Sequence, residues 1–400
     1  MRRVQLESVA TVNPRLPKDI DQSQNVNFLP MAAVSEDGQI LEEETRVLSD
    51  TKKGFTYFER GDVLLAKITP CFENGKAAYI EKMSHQVGFG STEFHVIRPD
   101  AGLLDGKYLF YLLWNPALRF VGERNMTGSA GQKRVPADFL KRLEIPLPPL
   151  PEQKRIAAIL DKADAIRRKR QQAIQLADEF LRSVFLDMFG DPISNPKGWE
   201  VKKLKDLSSQ IGSGSTPKGG KENYVEKGIT FFRSQNVWKR KLILDDVVYI
   251  DEATHQKLRK SSLKNRDILV TKTGRFNTEN SSLGRASMFL GKDDSANVNG
   301  HVYFIRLTEK IINEFVLYIL TTDEYRDYIR SVCVGGIDKR QINKEHLEEF
   351  PIIFPSIDAQ QKFARLMGAI ERKKDKAIQS LKISEDIFNS LSQKAFSGEL

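Results

Sequence analysis

A chain of 400 residues, 40% hydrophobic and 29% charged, is long enough to fold into two or three globular domains. The formal charge of +9 favours a polyanionic partner but does not identify one. Two cysteines, Cys71 and Cys333, in no CxxC or Cys/His spacing indicate neither a disulfide framework nor a zinc site, and we expect a reducing, cytoplasmic compartment.

The first residues predict a domain of short strands. MRRVQLESVATVNPRL lacks an apolar signal core and no run of eighteen apolar residues occurs, so we expect neither secretion by that route nor a membrane span. DVLLAK (62–67) is an apolar run opened by Asp, and EFHVIR (93–98) alternates; both are typical of strands. YLFYLLW (108–114) predicts a helix. We therefore predict a mixed α+β domain over residues 1–147.

Four prolines in IPLPPLP (145–151) precede a long helical pattern. They hold an extended approach and set the first helical turn, where a missing N–H costs nothing. From Glu152 to about Phe189, apolar residues recur every three or four positions and form one stripe. Roughly 38 residues at 1.5 Å each give a rod of about 55 Å, which indicates a coiled coil or a spacer. This central helical region spans residues 148–195.

The same order of patterns returns in the second half. A shift of 207 residues places 108–189 on 315–396 without a gap. Upstream, RDILVTKTG (266–274) answers GDVLLAKIT (61–69), and VYFIR (302–306) answers FHVIR (94–98). We expect the Gly- and Ser-rich SQIGSGSTPKGG (209–220) to be a loop. A second α+β domain at 196–354 and a C-terminal helical region at 355–400 follow.

This duplication predicts the architecture. We expect an α+β protein with two similar domains, separated by two long helices that form an antiparallel coiled coil with pseudo-two-fold symmetry. The predicted seam of the coiled coil consists of Ile156, Leu160, Ala163, Ile174, Leu181, Val184, Phe363, Met367, Ile370, Leu381, Phe388 and Leu391.

Two domains held a fixed distance apart by a helical rod suit a ligand whose structure repeats at regular distances, and duplex DNA is such a ligand. The two α+β domains, 1–147 and 196–354, which we call the front domains, differ strongly in sequence. The two halves of a DNA site that they contact should therefore differ as well. No catalytic constellation points elsewhere: the five histidines form no HExxH, and no GxSxG is present. The segment 212–221 lacks the order of a P-loop, and the carboxylates around 99–107 are too close in sequence for a nuclease pair.

The segment GQKRVPADFLKRLEIPLPPLPEQKRIAAIL (131–160), together with VTKTG (270–274), the FSGEL ending and the duplicated layout, resembles the specificity subunit of type I restriction-modification enzymes. The resemblance implies a non-catalytic subunit that reads a bipartite, asymmetric DNA site, one half per recognition domain. It also implies two adenine-N6 methyltransferase subunits that use S-adenosylmethionine, and restriction subunits that use ATP and Mg, with no cofactor in this chain. Phe185, Phe189 and Phe396 are candidates for docking the modification subunits. The second copy reads PIIFPSIDAQQ, which leaves its junction angle open.

Polar and basic loop residues are the candidates for DNA contact, because phosphates need positive charge and base edges need paired donors and acceptors. Lys239, Arg240 and Lys241 are further candidates for phosphates, and the runs 167–170 and 372–374 are expected to be mainly solvated helix faces. The alternative for each loop is an exposed polar hairpin without a ligand. The candidates are Lys67, Thr69, Asn74, Lys76, Arg124, Gln132, Lys133, Arg134, Arg233, Gln235, Asn236, Lys272, Thr273, Arg275, Asn277, Lys339, Arg340 and Gln341.

Three other interpretations stay open at this point. One is a recognition module of a methyltransferase-only or other defence complex. Another is a coiled-coil scaffold without DNA reading, which predicts no salt-dependent affinity for DNA. The third is a DNA-cleaving or DNA-modifying enzyme, for which we find no catalytic constellation.

Overall fold

The computed structural model describes residues 2–129, 131–217, 219–276, 280–336 and 338–400. The chain divides into two compact units. Unit 1 is Met1–Gln172 with Ala377–Leu400, and unit 2 is Ala173–Lys376. Each unit therefore contains one front domain and one part of each long helix. The four sequence ranges predicted above remain a prediction.

Unit 1 begins with short strands and ends in helices. Short 3-10 turns occur at Leu6–Ser8 and Met31–Ala33. Its elements are β1 (Arg3–Gln5), β2 (Ala10–Val12), β3 (Asn25–Leu29), β4 (Glu44–Val47), α1 (Leu48–Thr51), β5 (Thr56–Glu59), β6 (Val63–Ala66), β7 (Ala77–Tyr79), β8 (Val87–Gly90), β9 (Phe94–Pro99), α2 (Gly106–Trp114), α3 (Pro116–Arg124), α4 (Ala137–Arg142), β10 (Glu144–Pro146) and the first part of α5 (Leu150–Phe189).

Two four-stranded sheets form the body of unit 1. One is antiparallel with the order β2-β9-β6-β7, and the other has the order β4-β3-β8-β5 with β3 and β8 parallel. Val63 and Leu65 pack with the apolar helix α2, whereas Leu64 and Ala66 pack in a second cluster with Phe58. Both faces of β6 are covered, which explains why DVLLAK is a continuous apolar run.

Unit 2 repeats this order of elements, and 3-10 turns occur at Leu204–Leu207, Gly220–Asn223, Ser234–Asn236 and Arg259–Ser261. Its elements are β11 (Val201–Lys203), β12 (Ser208–Ser213), β13 (Tyr224–Val225), β14 (Ile229–Phe232), β15 (Val237–Trp238), β16 (Lys241–Leu242), β17 (Val248–Ile250), α6 (Glu252–Lys257), β18 (Ile268–Thr271), β19 (Thr273–Arg275), β20 (Ala286–Met288), β21 (Ala296–Val298), β22 (Val302–Leu307), α7 (Asn313–Leu320), α8 (Asp323–Val332), β23 (Val334–Gly335), β24 (Lys339–Gln341), α9 (Lys344–Glu348), β25 (Pro351–Ile353) and the first part of α10 (Ile357–Ser397).

The sheets of unit 2 confirm the duplication. The order β12-β22-β18-β20 matches β2-β9-β6-β7, and β14 pairs in parallel with β21 as β3 does with β8. The second sheet, β13-β17-β14-β21, carries its extra strand at the opposite edge from β5. The expected loop at 209–220 is wrong in its first part, because Ser208–Ser213 pairs with β22. Gly212 is needed there, since a Cβ would lie 2.6 Å from the Phe304 ring.

The two long helices pair in antiparallel fashion, as predicted. In unit 1, Arg170 on the first part of α5 donates to the backbone oxygen of Ser380 and to the Ser384 hydroxyl on the last part of α10. In unit 2, Lys374 on the first part of α10 lies 2.6 Å from Asp178 on the last part of α5. The helices begin and end within a few residues of the predicted bounds.

The predicted seam residues lie on the covered sides of these helices. Ile156, Leu160 and Phe388 join the core of unit 1, and Leu181, Phe363, Met367 and Ile370 join the core of unit 2. Ala163, Ile174, Val184, Leu381 and Leu391 are half-buried. Near each front domain, the apolar stripe therefore packs into that domain's core as well as toward the other helix.

Phe185 and Phe189 correct one expectation. Both are fully buried in unit 2, where the Phe185 ring packs on Tyr318 (4.8 Å) and the Phe189 ring on Phe315 (4.9 Å). They are core residues, so the expectation that they dock a partner is wrong. Phe396 is half-buried in unit 1, with its ring 5.5 Å from Tyr108.

A buried glutamine fixes the start of each long helix. Gln153 accepts from the backbone N–H of Asp105 (2.8 Å) and donates to the carbonyls of Leu103 and Pro148. Gln360, its equivalent in the repeat, accepts from the N–H of Ile312 (3.0 Å) and donates to the Pro355 carbonyl. Each helix is thus hydrogen-bonded to the loop before the apolar helix of its own unit. This explains why a glutamine follows the proline-rich entry in both copies.

Within the described ranges, no helix combines the length and the apolar character that crossing a membrane requires.

Candidate nucleic-acid interface

Two predicted DNA-contacting segments of unit 2 come together in one small sheet. Strand β24 pairs with β19, so that Thr273 faces Gln341 and Arg275 faces Lys339, and β23 pairs with the other edge of β24. Gly335 has a φ of 132° there, and a Cβ would lie 2.7 Å from the Lys339 carbonyl. We call residues 272–275, 334–336 and 338–341 the second hairpin platform.

Unit 1 has the same arrangement at the equivalent place. Arg134 forms β-bridges with Ile68 and Thr127, and the backbone N–H of Thr69 donates to the Lys133 carbonyl (3.0 Å). Gly128 has a φ of 122°, and a Cβ would lie 2.9 Å from the Gln132 carbonyl. Residues 67–69, 127–129 and 131–134 form the first hairpin platform. The structure therefore brings together, within each unit, two segments that the sequence singled out separately.

The two platforms present different side chains. In the second, Arg275, Lys339 and Gln341 are exposed, and the Arg340 guanidinium lies 4.0 Å from the centre of the Phe276 ring. Thr273 is half-buried. Within the described part of the chain, Arg340 Nε is buried without a hydrogen-bond partner. The second platform is therefore rich in cationic donors.

In the first platform, Gln132 and Lys133 are exposed, but Arg134 is already paired. Its guanidinium makes three hydrogen bonds to Glu93, of 2.8, 3.0 and 3.3 Å, and this pairing holds the pKa of the Glu93 carboxyl below its ordinary value. Beside the platform, Arg124 is exposed and stacks on Phe120 at 4.4 Å. The Phe120 side chain is 53% exposed. This surface mixes amide, cationic and aromatic groups.

The remaining candidates of the first loop make contacts inside unit 1. The Thr69 hydroxyl donates to Glu73 (2.9 Å), Asn74 donates to Glu36 (2.8 Å), and Lys76 donates to the Met31 carbonyl (3.3 Å). Asn74 is exposed, whereas Lys67 is half-buried. These side chains help to hold the loop in place.

Asn236 corrects the prediction for the RSQNVWKRK segment. It is fully buried, accepts from the N–H of Arg233 (2.9 Å) and donates to the carbonyls of Ile243 and Asp246. The expectation that it reaches a base is therefore wrong. Arg233 and Gln235 both bind Asp246, in contacts that stabilise the same turn.

The Lys272 ammonium lies 5.4 Å from the centre of the Tyr303 ring, and its side chain is half-buried. Asn277 lies outside the described residues.

The charge runs on the helices are only partly solvated. Arg167 and Arg168 pair with Asp164, Arg170 binds α10, and Lys374 pairs with Asp178. Arg240, expected to hold a phosphate, instead binds Glu371 (3.0 Å). Lys169, Arg372 and Lys373 are exposed. Most of these cations therefore stabilise the fold.

Sequence reasoning missed the supports of the platforms. His95 is buried behind the first platform: Nε2 lies 2.8 Å from the Val135 carbonyl and Nδ1 lies 3.1 Å from Asn13 Nδ2. A carbonyl can only accept, so Nε2 carries the proton and Nδ1 accepts from Asn13. Burial lowers the pKa of His95. The alternation in FHVIR predicted the strand that carries His95, but it did not reveal that both faces of this strand are covered.

A buried carboxylate supports each antiparallel sheet. Arg98 makes two 2.8 Å hydrogen bonds to Asp62, and Arg306 binds the repeat-equivalent Asp267 at 2.7 and 3.0 Å. Burial raises the pKa of both carboxyls, and the arginines partly offset that effect. The Asp that opens DVLLAK and DILVTK is thus a structural residue. Among the described residues, no His, Cys, Asp and Glu group could hold a metal ion.

Comparisons with known proteins identify the family of the chain and its fold. The family model described as "Type I restriction modification DNA specificity domain" matches residues 1–176 and 196–384. The EcoAI type I restriction enzyme specificity subunit of Escherichia coli is 45% identical over 153 residues, which cover 38% of this chain and 26% of that protein. The EcoEI specificity subunit of Escherichia coli is 42% identical over 161 residues, which cover 40% of this chain and 27% of that protein. The matches thus span about a quarter of the length of these relatives.

The fold is also similar to a solved structure, the type I restriction-modification system S subunit from M. genitalium. The TM-score is 0.57 at 16% identity, and the similarity covers 99% of this chain and 96% of that one. At this identity the likeness concerns the fold alone.

Proposed function

Because the chain belongs to the type I restriction-modification DNA specificity family, we propose that it reads a bipartite, asymmetric DNA site, with one half read by each front domain. In this proposal it positions two methyltransferase subunits and, through them, restriction subunits, and it carries out no catalysis itself. S-adenosylmethionine, ATP and Mg belong to those partner subunits, and the complex works in the cytoplasm.

One observation carries the proposal. Each unit presents a hairpin platform built from two repeat-equivalent segments. Each platform contains a glycine of positive φ at the same repeat position, Gly128 in the first and Gly335 in the second. The backbone is repeated but the exposed side chains differ, with Gln132 and Lys133 in one and Arg275, Lys339 and Gln341 in the other. Exposed amides and cations of this kind contact base edges and phosphates. Different side chains on a repeated frame support an asymmetric, two-part site.

A second feature supports two equal docking sites for methyltransferase subunits. Leu176 and Phe180 on α5 in unit 2 are 52% and 55% exposed. Ile383 and Ile387, their equivalents under the 207-residue shift, lie on α10 in unit 1 and are 57% and 51% exposed. Each pair has the i, i+4 spacing that places two side chains on one helix face. A repeated exposed apolar pair fits two copies of one partner.

The test is to co-express the chain with a methyltransferase subunit of its system and to map methylated adenines across the host DNA. We expect one split, asymmetric motif. Replacing residues 1–145 with the corresponding domain of a relative should change one half of the motif, and replacing 200–350 should change the other. If a stable complex forms while the DNA stays unmethylated, DNA reading by this chain is rejected and a scaffold role is favoured.

A further inference from the structure

An arginine binds a repeat-equivalent helix acid in both units, but different parts of the chain supply it. In unit 1, Arg167 on α5 donates through Nε to Asp164, on the same helix (3.0 Å). In unit 2, Arg240, from the turn between β15 and β16, donates through Nε to Glu371 on α10 (3.0 Å). The 207-residue shift places Asp164 on Glu371. The acidic side chain occupies the same repeat position in both units. The arginine that binds it comes from the long helix in unit 1 and from the turn between β15 and β16 in unit 2.

The loops that follow the corresponding strands β3 and β14 contribute charges of opposite sign in the two units. In unit 1, Asp37 in the loop between β3 and β4 accepts from Arg167 (3.1 Å). In unit 2, the connection between β14 and β17 supplies Arg240, whose second acid is Asp178 on α5 (3.3 Å). The loop is therefore acidic and its helix partner basic in unit 1, and the signs are reversed in unit 2.

The surroundings of the two arginines make this polarity consequential. The Arg167 side chain is 10% exposed and lies 5.7 Å from the Trp114 ring, and the Arg240 side chain is 11% exposed and lies 5.2 Å from the Tyr318 ring. The two guanidinium groups are largely shielded from water, whereas the Asp37 side chain is 40% exposed, so a like charge beside either arginine would be only partly screened. Arg240 also has a φ of 58°, which L residues rarely adopt, so its contacts hold a costly backbone conformation.

We propose that these two ion pairs of opposite polarity make each recognition domain pack only against its own section of the helix pair. We call this selective packing keying. Asp37 and Arg240 are then positioning residues: they hold the loops of their own domain on the helices and do not touch DNA themselves. The role in DNA reading rests on the proposed function, whereas the keying is a property of the chain alone. A loop with the polarity of the other domain is rejected by the helix section that it meets.

A polarity exchange tests the keying without changing the net charge. The double variant Asp37→Arg/Arg240→Asp places arginine against Arg167 and aspartate against Asp178 and Glu371. Its control, Glu42→Lys/Lys241→Glu, makes an exchange of the same kind at exposed positions of the same two segments. We expect amide hydrogen exchange of the full chain at 34–40, 161–170, 237–242 and 368–378 to accelerate by about ten-fold or more in the double variant only. Equal exchange in the variant and the control would overturn the keying.

Rescue separates a specific pair from general damage. Glu371→Arg added to Arg240→Glu restores an attraction of reversed sign, while Asp178 stays paired with Lys374. We expect this double variant to recover part of the protection that Arg240→Glu loses; no recovery would contradict the proposal. Should charge reversal prevent folding, Asp37→Asn and Arg240→Gln provide milder variants, each expected to accelerate exchange in its own unit only.

The link to DNA reading has its own readout in the complex with methyltransferase subunits. Asp37→Asn should relax methylation specificity in the half-site of the first domain, and Arg240→Gln in that of the second, relative to Glu42→Gln and Lys257→Gln at exposed positions. Loss of protection with unchanged half-site specificity would refute the positioning role and leave a purely structural one. If the unaltered complex methylates nothing, the proposed function fails, whereas the exchange experiment still decides the keying.

Discussion

The supports of the first hairpin platform are single buried residues, and His95 is the most informative of them. Its ring joins strand β9 to the chain immediately after the platform through the Val135 carbonyl. The residue is only 4% exposed, and burial lowers the pKa of its ring, so folding favours the neutral form. A neutral buried histidine couples the stability of this region to pH.

The pH dependence follows from the lowered pKa of His95. An unfolded histidine titrates near pH 6.5, whereas the folded ring takes up its proton only at lower pH. Between those values the unfolded chain binds more protons, so the contribution of His95 is complete above about pH 6.5 and falls as the pH drops below it. His95→Gln should flatten the dependence of the unfolding free energy on pH between 6.5 and 5, as measured by urea denaturation.

His301→Gln, at an exposed position, serves as the control and should keep the slope of the original chain. An unchanged slope in His95→Gln would show that another group causes the pH dependence.

Residues differ in how far sequence alone could assign them. The polar character of Lys339 and Gln341 was visible, and the structure leaves both exposed. Asn236 and Arg240 have the same side-chain chemistry as DNA-contacting residues. Asn236, however, makes its hydrogen bonds within unit 2, and Arg240 forms an ion pair there. Sequence cannot separate these cases, because the acids that bind Arg240 lie 62 and 131 positions away.

At the level of elements, the junction between domain and helix was only half predictable. The prolines announced a fixed entry into the helix, but proline cannot donate the hydrogen bonds that hold it. Gln153 and Gln360 supply them, and both are completely buried. A buried side-chain amide with satisfied partners stabilises one geometry, because any rotation of the helix start leaves donors and acceptors unpaired.

Truncating these glutamines should therefore be costly. Gln153→Ala leaves the N–H of Asp105 and the carbonyls of Leu103 and Pro148 without their partner, and we expect a loss of about 2–4 kcal/mol in unfolding free energy. Gln360→Ala, with fewer bonds, should cost about 1–3 kcal/mol. Urea denaturation of the full chain measures both.

The matched control is Gln171→Ala on the exposed side of α5, which should change the free energy by no more than about 0.5 kcal/mol. A cost for Gln153→Ala as small as that of the control would mean that the proline segment alone fixes the helix.

Periodicity and repetition predicted the long helices, the apolar helices α2 and α7 and the strands around DVLLAK and DILVTK. These two signals failed where packing overrides the usual conformational preference of a residue. Ser208–Ser213 looks like a loop because of Gly212 and its serines, but the Phe304 ring needs the space that only glycine leaves. The reversed edge of the second sheet was also invisible, since β5 and β13 have no counterpart in the repeat.

At the scale of the whole molecule, the positive charge is distributed unevenly. Residues 1–147 contain 19 Lys or Arg and 19 Asp or Glu, whereas residues 196–354 contain 27 and 21. Counterion release makes affinity for DNA fall with salt in proportion to the phosphates contacted. Under the proposed function, the second domain should contribute more of this salt dependence than the first.

Substitutions in the second platform test whether it contributes to this salt dependence. Arg275→Ala and Lys339→Ala should each reduce the slope of log affinity against log salt by about 1 in the complex bound to its mapped site. Lys257→Ala, exposed on α6, is the control and should leave the slope unchanged. Fluorescence anisotropy over a salt series measures the slopes; equal slopes for all three variants would remove the platform from the DNA interface.

The division of the chain also sets an order in time. Unit 2 is one continuous stretch, Ala173–Lys376, whereas unit 1 includes Ala377–Leu400, which is translated after all of unit 2. Phe388 and Ala395 from this later segment are buried in the core of unit 1 among side chains that are translated before unit 2. Unit 1 therefore begins to form before unit 2 but can be completed only after it, and until then its nascent core stays open to water.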